Sequence, residues 1–377
     1  MQIAVIGAGA FGGWSALAML RLGARVTLVD MFGPANARAS SGGETRLIRA
    51  IYGPDLVYTK LAARALELWK ENEARWTRQL YHRTGLVWMS AGEEDTYDRA
   101  SIDNLSRCGI RHEVMTPSEA SGRFPQINFD DVRSVVYEPE AGYLAARIAC
   151  QTVLDSFIAE GGQYRQAQVE PGVTRGNLME AVALSDGTSL KRDHYCFACG
   201  PWLGRMFPGH IGDLISPTKQ EVFFFGTQAG GREFDEGNMP AWVEHGSGFN
   251  YGMPGNLGRG FKVADDARGP RFDPTLGDRV ISDEGLRSAR EYVAFRFPGL
   301  AGAPLVDARV CQYEDTPDHH FIIDRLPGAE NAWILGGGSG HGFKHGPAVG
   351  ELAARMVLQG AATEPQFRIS RFTEAPV

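Results

Sequence analysis

The chain lacks any apolar run of the ~18 residues that crosses a bilayer, so no membrane-spanning helix is expected. Cysteine is scarce: Cys108, Cys150, Cys196, Cys199 and Cys311 are the only five among 377 residues. An odd, sparse set of thiols speaks against a disulfide framework. A basic surplus is also missing, because 45 Asp and Glu outnumber 38 Lys and Arg to give a net charge of -7. That argues against nucleic acid as a partner. No repeat, low-complexity tract or linker divides the sequence. The opening residues carry no basic segment and no cleavage pattern, so a cytoplasmic protein is expected.

What remains is typical of a globular protein large enough for one extended domain or two joined ones: 43% hydrophobic and 22% charged residues. Glycine is the compositional outlier, at 47 residues, and points to tight turns and close backbone approaches to a ligand. Its first cluster lies in QIAVIGAGAFGGWSALAMLRLGARVTLVD. There a strand from Ile3 to Ile6 runs through Gly7-x-Gly9-x-x-Gly12 into a helix, and a second strand ends at Asp30. Gly7 allows the turn, Gly9 admits a pyrophosphate, and Gly12 lets helix and strand pack closely. The helix start offers free N–H groups to phosphate, and an acid about 20 residues on is placed for a ribose hydroxyl. The motif reads as dinucleotide binding and leaves NAD(P) or FAD open.

The Ser- and Gly-rich stretch FGPANARASSGGETRLIRAIYG follows, read as a loop, and then a helix over TKLAARALELWKENEARW with Leu61, Ala65, Leu66 and Leu68 at helical spacing. Arg46 and Arg49 suit a flavin or an anionic substrate, and equally a surface ion pair. A second glycine cluster, Gly336 through Gly342, lies between a strand at Ala332 to Leu335 and a helix from Pro347 whose apolar face is Val349, Leu352, Ala353 and Met356. A glycine loop returning so late suits an FAD protein, where it covers the isoalloxazine. Lys344 in that loop reads as a carboxylate or flavin contact, or as a solvated lysine. His341 lacks metal-ligand spacing, and His319 and His320, as neighbours on a strand, would point to opposite faces. Cys196 and Cys199 read as part of a buried strand rather than a redox pair. Lys262, on the short strand GFKVADD, reads by itself as a lysine that reaches solvent. Cys311, in ARVCQYEDTPDHHFIID, is left by its neighbours as a packing thiol, metal ligand, nucleophile or attachment point.

The blocks GAGAFG with Asp30, GGETRLIRAIYG, VVYEPEAGYL, CGPW, NYGMP with GFK, VCQYEDTPDHHFIID and GGGSGHGFKHGPAVGE together resemble the monomeric sarcosine oxidase family and its relatives, within the D-amino-acid-oxidase superfamily of flavoproteins. The resemblance spans nearly the whole chain. It implies an α/β protein with a Rossmann-like FAD-binding domain (1–85, 142–215 and 320–377) and an inserted mixed-sheet substrate domain (86–141 and 216–319). It further implies FAD joined through its 8α carbon to the Cys311 sulfur. Cofactor contacts are expected from Gly7, Gly9, Ala10, Phe11, Gly12, Asp30, Ser40, Thr45, Arg46, Val169, Gly338, Gly340, His341, Gly342, Phe343 and Lys344.

By the same resemblance Thr45 and Arg46 lie against the flavin, Lys262 serves oxygen reduction, and Arg49 with Lys344 takes the substrate carboxylate. Tyr251 and Tyr313 line the substrate cavity. The activity implied is oxidation of a C–N bond to an imine with oxygen reduced to hydrogen peroxide, in a monomeric enzyme. A flavin dehydrogenase using another acceptor is the alternative, and a non-catalytic flavin-binding protein is the third. The chain departs from the family at Asp266, where a histidine is usual, and at Trp242, where a cavity-wall methionine is usual. It departs again at Ser41 and Gly42, in place of paired histidines. Asp266 and Trp242 are therefore expected to shape the substrate cavity, and sarcosine itself is not the expected substrate.

Overall fold

The computed structural model describes residues 1–92, 96–227, 230–246 and 248–373. Its first sheet has six strands in the order Ile322–Arg325, Ala332–Gly336, His194–Phe197, Gln2–Ile6, Arg25–Asp30, Gln163–Gln166. All neighbours are parallel except the first pair. The four central strands are nearly continuous apolar runs, as a parallel sheet covered on both faces requires. Helices Ala10–Arg21 and Gly346–Gln359 pack together on one face. A Cβ on Gly350 would fall 2.7 Å from the Trp14 backbone, so this crossing needs glycine. Helix Leu56–Trp76 adds Trp69, whose ring meets Trp14 edge-on at 5.0 Å.

The second sheet has eight strands: Leu305–Asp315, Ser216–Phe225, Phe261–Asp265, Phe249–Met253, Ala241–His245, Leu86–Ala91, Val132–Glu138, Glu113–Met115. Its one parallel pairing joins Ala241–His245 to Leu86–Ala91, so the sheet is mixed. Helix Asp283–Arg296, capped by the Ser282 hydroxyl on the Gly285 N–H, covers one side of it. The expected helices and most expected strands are therefore present. One stretch differs. The Ser- and Gly-rich loop contains the strand Thr45–Ile48, which pairs with strand Gly142–Ala145. Each supplies the other's hydrogen-bond partner, a pairing that local sequence does not reveal. No helix of the described residues is long and apolar enough to cross a membrane.

Candidate active site

Two cavities meet between the sheets. The larger, about 540 Å³, runs along the carboxyl ends of the parallel strands past Gly7, Gly9, Ala10, Phe11, Asp30, Ser40, Arg46, Val169, Gly338, Gly340, Gly342 and Phe343. Gly7 has φ +104, and a Cβ on Gly12 would collide with the Gly7 carbonyl at 1.9 Å, so Gly12 serves packing rather than contact. Helix Ala10–Arg21 has no side-chain cap at Gly9, which leaves its first N–H groups for an anion. Asp30 accepts from the N–H groups of Ala8 (2.7 Å) and Phe32 (2.9 Å). Burial still raises its pKa above the ordinary value, against the pull of these N–H groups. The buried Ser40 hydroxyl and the Oε2 of Glu314 find no hydrogen-bond partner among the described residues. An elongated cavity with a bare helix start, a ribose-type acid and orphaned polar atoms fits FAD.

The smaller cavity, about 330 Å³, shares Arg46, Tyr313, Gly340 and Phe343 with the larger one and is lined by Arg49, Lys344, Tyr251, Asp266, Cys311 and His341. Arg49 donates to the Ile51 carbonyl and lies over the rings of Tyr52 (4.7 Å) and Trp88 (5.1 Å). Lys344 is buried and donates to the Tyr52 hydroxyl (2.8 Å) and the His341 carbonyl (3.0 Å). Burial, then the nearby Arg49 charge, hold its pKa well below the ordinary lysine value. An anion arriving here would relieve both cations. Tyr251 and Tyr313 place their hydroxyls 3.2 Å apart, and Tyr313 donates to Asp266 at 2.8 Å. Burial raises the Asp266 pKa against the pull of Arg268, which pairs with it at 2.7 Å.

The expectations at Trp242, His341 and Thr45 need correction. Lys262, which read by itself as reaching solvent and by the resemblance as serving oxygen reduction, is 3% exposed, with Nζ donating to the Thr45 carbonyl at 3.0 Å. Burial, then Arg46, push its pKa down to about 7. Trp242 does not line the substrate cavity. Successive residues of Ala241–His245 alternate faces, and Trp242 points into the core against Phe261, Tyr292 and Phe297 on the far side of the sheet. His341 faces the smaller cavity rather than the dinucleotide cavity, stacked on Phe321 at 4.9 Å. Thr45 contributes through its backbone, because its hydroxyl is buried against the Met253 sulfur at 3.5 Å and lines neither cavity.

Cys311 lines the smaller cavity with Sγ 3.5 Å from an Arg46 nitrogen. Arg46 is fixed by the carbonyls of Thr45, Ser40 and Gly42. Cys196 is fully buried in its strand, as expected, while Cys199 lies just past the strand end and lines the larger cavity. Among the described residues no three His, Cys, Asp or Glu side chains gather to hold a metal. His319 is exposed, and His320 stacks on Tyr58 at 5.7 Å. Sequence reasoning missed Arg268, which clamps Asp266, Asp315 and the Ser339 carbonyl. It also missed Tyr52 and Glu314; the only signal was their closeness to residues already singled out.

The profile of a family described as FAD dependent oxidoreductase matches residues 2–356. The chain is 28% identical to monomeric sarcosine oxidase of Bacillus sp. (strain NS-129), over 95% of this chain and 93% of that protein. It is 26% identical to N-methyl-L-tryptophan oxidase of Salmonella heidelberg (strain SL476), over 99% of both. Among solved structures, L-proline dehydrogenase from P. horikoshii superposes with a TM-score of 0.87 at 22% identity, covering 99% of this chain and 97% of that one. The chain belongs to the family of FAD-dependent oxidoreductases.

Proposed function

We propose that this enzyme oxidises the C–N bond of a secondary amine or N-substituted amino acid and returns the electrons to oxygen as hydrogen peroxide. The observation that carries this reading is the pair Arg49 and Lys344, lining a cavity that opens onto the dinucleotide cavity across Arg46, Tyr313, Gly340 and Phe343. FAD supplies the two-electron acceptor when bound. Arg49 and Lys344 hold the substrate carboxylate, which fixes the reacting carbon and turns affinity into orientation. Tyr251 and Tyr313 border the amine, and the surrounding cationic, desolvated walls favour its neutral, reactive form. Lys262, one layer behind, supplies the positive charge for oxygen reduction.

Attachment of the flavin through Cys311 belongs to the same proposal, supported by the thiol's place in the smaller cavity, 3.5 Å from a nitrogen of Arg46, which borders both cavities. Five unpaired cysteines suit the reducing cytoplasm expected for this chain, and a monomer is the expected form. The test is direct. Purified protein should be yellow, and the colour should stay with the chain after acid denaturation; free flavin in the supernatant overturns the tether. Peroxide release is then measured across N-methyl amino acids, cyclic imino acids, imino diacids and glycated amino acids. Turnover with a dye and none with oxygen replaces the oxidase reading with the dehydrogenase.

A further inference from the structure

Glu314 is a carboxylate without an assigned task. It follows Tyr313 on strand Leu305–Asp315 and lines the larger cavity, yet it is only 8% exposed. Its Oε1 accepts the Gly338 N–H at 3.1 Å, whereas its Oε2 is buried and has no hydrogen-bond partner among the described residues. Two glycines leave it uncovered. A Cβ on Gly200 would come within 2.8 Å of Oε2, and one on Gly338 within 3.0 Å of Oε1. The nearest titratable neighbours are Cys199 on the adjoining turn, whose thiol burial holds far above its usual pKa, and Asp315 on the same strand, which Arg268 and Thr218 engage. The strand packed alongside presents Pro217 opposite Glu314. Among the described residues no cation neutralises the acid, and burial raises its pKa to about 7.

The chemistry of a carboxylate selects its partner. An ionised carboxylate only accepts hydrogen bonds, so it needs a donor and repels the pyrophosphate oxygens. The adenosine ribose already has Asp30, at the end of the second strand. Of the other donors on FAD, the adenine amino group lies beyond the ribose that Asp30 would hold, and the imide N–H lies on the ring edge remote from the carbon that Cys311 would hold under the function proposed above; the hydroxyls of the ribityl chain remain. We propose that Glu314 Oε2 accepts a hydrogen bond from a ribityl hydroxyl of FAD. This assigns the chain a cofactor-selecting acid in addition to Asp30.

The test uses the full-length chain with Cys311→Ala, so that flavin exchange is reversible. Flavin-free protein is titrated with FAD, with its 2′-, 3′- and 4′-deoxyribityl analogues and with N3-methyl FAD, following flavin fluorescence. One deoxy analogue is expected to bind at least about tenfold more weakly than FAD, in line with a hydrogen bond to a charged group. Adding Glu314→Ala should weaken FAD itself by that factor and abolish the difference between FAD and that analogue. FAD affinity should rise from pH 6 to pH 8 as the acid ionises, and the rise should vanish in Glu314→Gln, which keeps a carbonyl acceptor. Three outcomes overturn the proposal: unchanged FAD affinity in Glu314→Ala, a loss confined to the N3-methyl analogue, or affinity that falls with pH, which would mean a protonated acid donating to phosphate. If Glu314→Ala does not fold, as judged by its thermal melt, the Glu314→Gln pH series decides alone.

Discussion

The ammonium of Lys262 lies 3.0 Å from the backbone carbonyl of Thr45, with the Tyr251 ring 5.7 Å away. The strand Phe261–Asp265 thus delivers a cation to the short strand Thr45–Ile48 that carries Arg46. Replacing Lys262 by Met should slow reoxidation of the reduced enzyme by oxygen about 10²–10³-fold, while anaerobic reduction by substrate changes little. Stopped-flow measurement of the two half-reactions separates them, and equal slowing of both would remove Lys262 from the oxygen step. Since the Lys262 pKa is lowered to about 7, the charged form is lost as pH rises through that value. The oxygen rate should fall on the alkaline side.

Arg49→Met should reduce kcat/KM about 10- to 100-fold for substrates bearing a carboxylate, the range of a lost charged hydrogen bond. An amine of the same shape without the carboxylate should be indifferent to the change. Equal losses for both would mean that Arg49 holds the fold and not the substrate.

Lys344 carries a pKa held well below the ordinary lysine value by burial and by Arg49. Only its charged form attracts a carboxylate, so binding of a small carboxylate inhibitor should take up protons and weaken as pH rises. Calorimetry in buffers of different ionisation enthalpy measures this uptake. Zero uptake at neutral pH, or binding that tightens with pH, contradicts the assignment.

Trp242→Ala should cost about 3–5 kcal/mol of stability, as deletion of a large buried aromatic side chain does, with KM unchanged for the protein that remains folded. Chemical denaturation and steady-state kinetics on the same preparation give both numbers. A shifted KM at unchanged stability would return Trp242 to the cavity wall.

Arg296 is fully buried and pairs with Glu244 and Asp131, each at 2.8 Å. Arg296→Met leaves Glu244 without its cation and should destabilise the chain by about 3–5 kcal/mol. A melt within a degree of the parent would show that the Tyr292 hydroxyl, 2.7 Å from Glu244, suffices alone.

The dinucleotide half of the site was legible because its chemistry is local. A strand, a glycine turn, a helix start and Asp30 lie within thirty residues, and period and spacing reveal each of them. The substrate half is built by long-range pairing. Lys262 reads as a solvent-reaching lysine until Thr45 is known to be its neighbour. Trp242 was misjudged because its place opposite a cavity-wall methionine came from the resemblance alone, and the sequence does not say which face of this strand meets the cavity. Gly252 shows the same limit: a Cβ there would fall 2.5 Å from the Trp242 ring, a reason for glycine that no turn signal announces. Arg268 and Glu314 follow singled-out residues closely, yet only packing shows one as a clamp and the other as an orphan.

The six-stranded sheet also imposes an order of events on the chain. Strand His194–Phe197 is flanked by Gln2–Ile6 on one side and by Ala332–Gly336 on the other, and this last partner is synthesised long after both. Until it arrives, the apolar residues Tyr195, Cys196 and Phe197 present an open edge, the kind of surface that invites pairing with another chain. The five strands of the eight-stranded sheet that intervene must leave the ends of the first sheet close enough to be joined, which places this among slow, non-local foldings. A nascent chain stalled before residue 332 should therefore be an aggregation-prone client of chaperones, and completion of the flavin cavity, whose Gly338–Phe343 wall follows directly on that strand, coincides with closure of the edge.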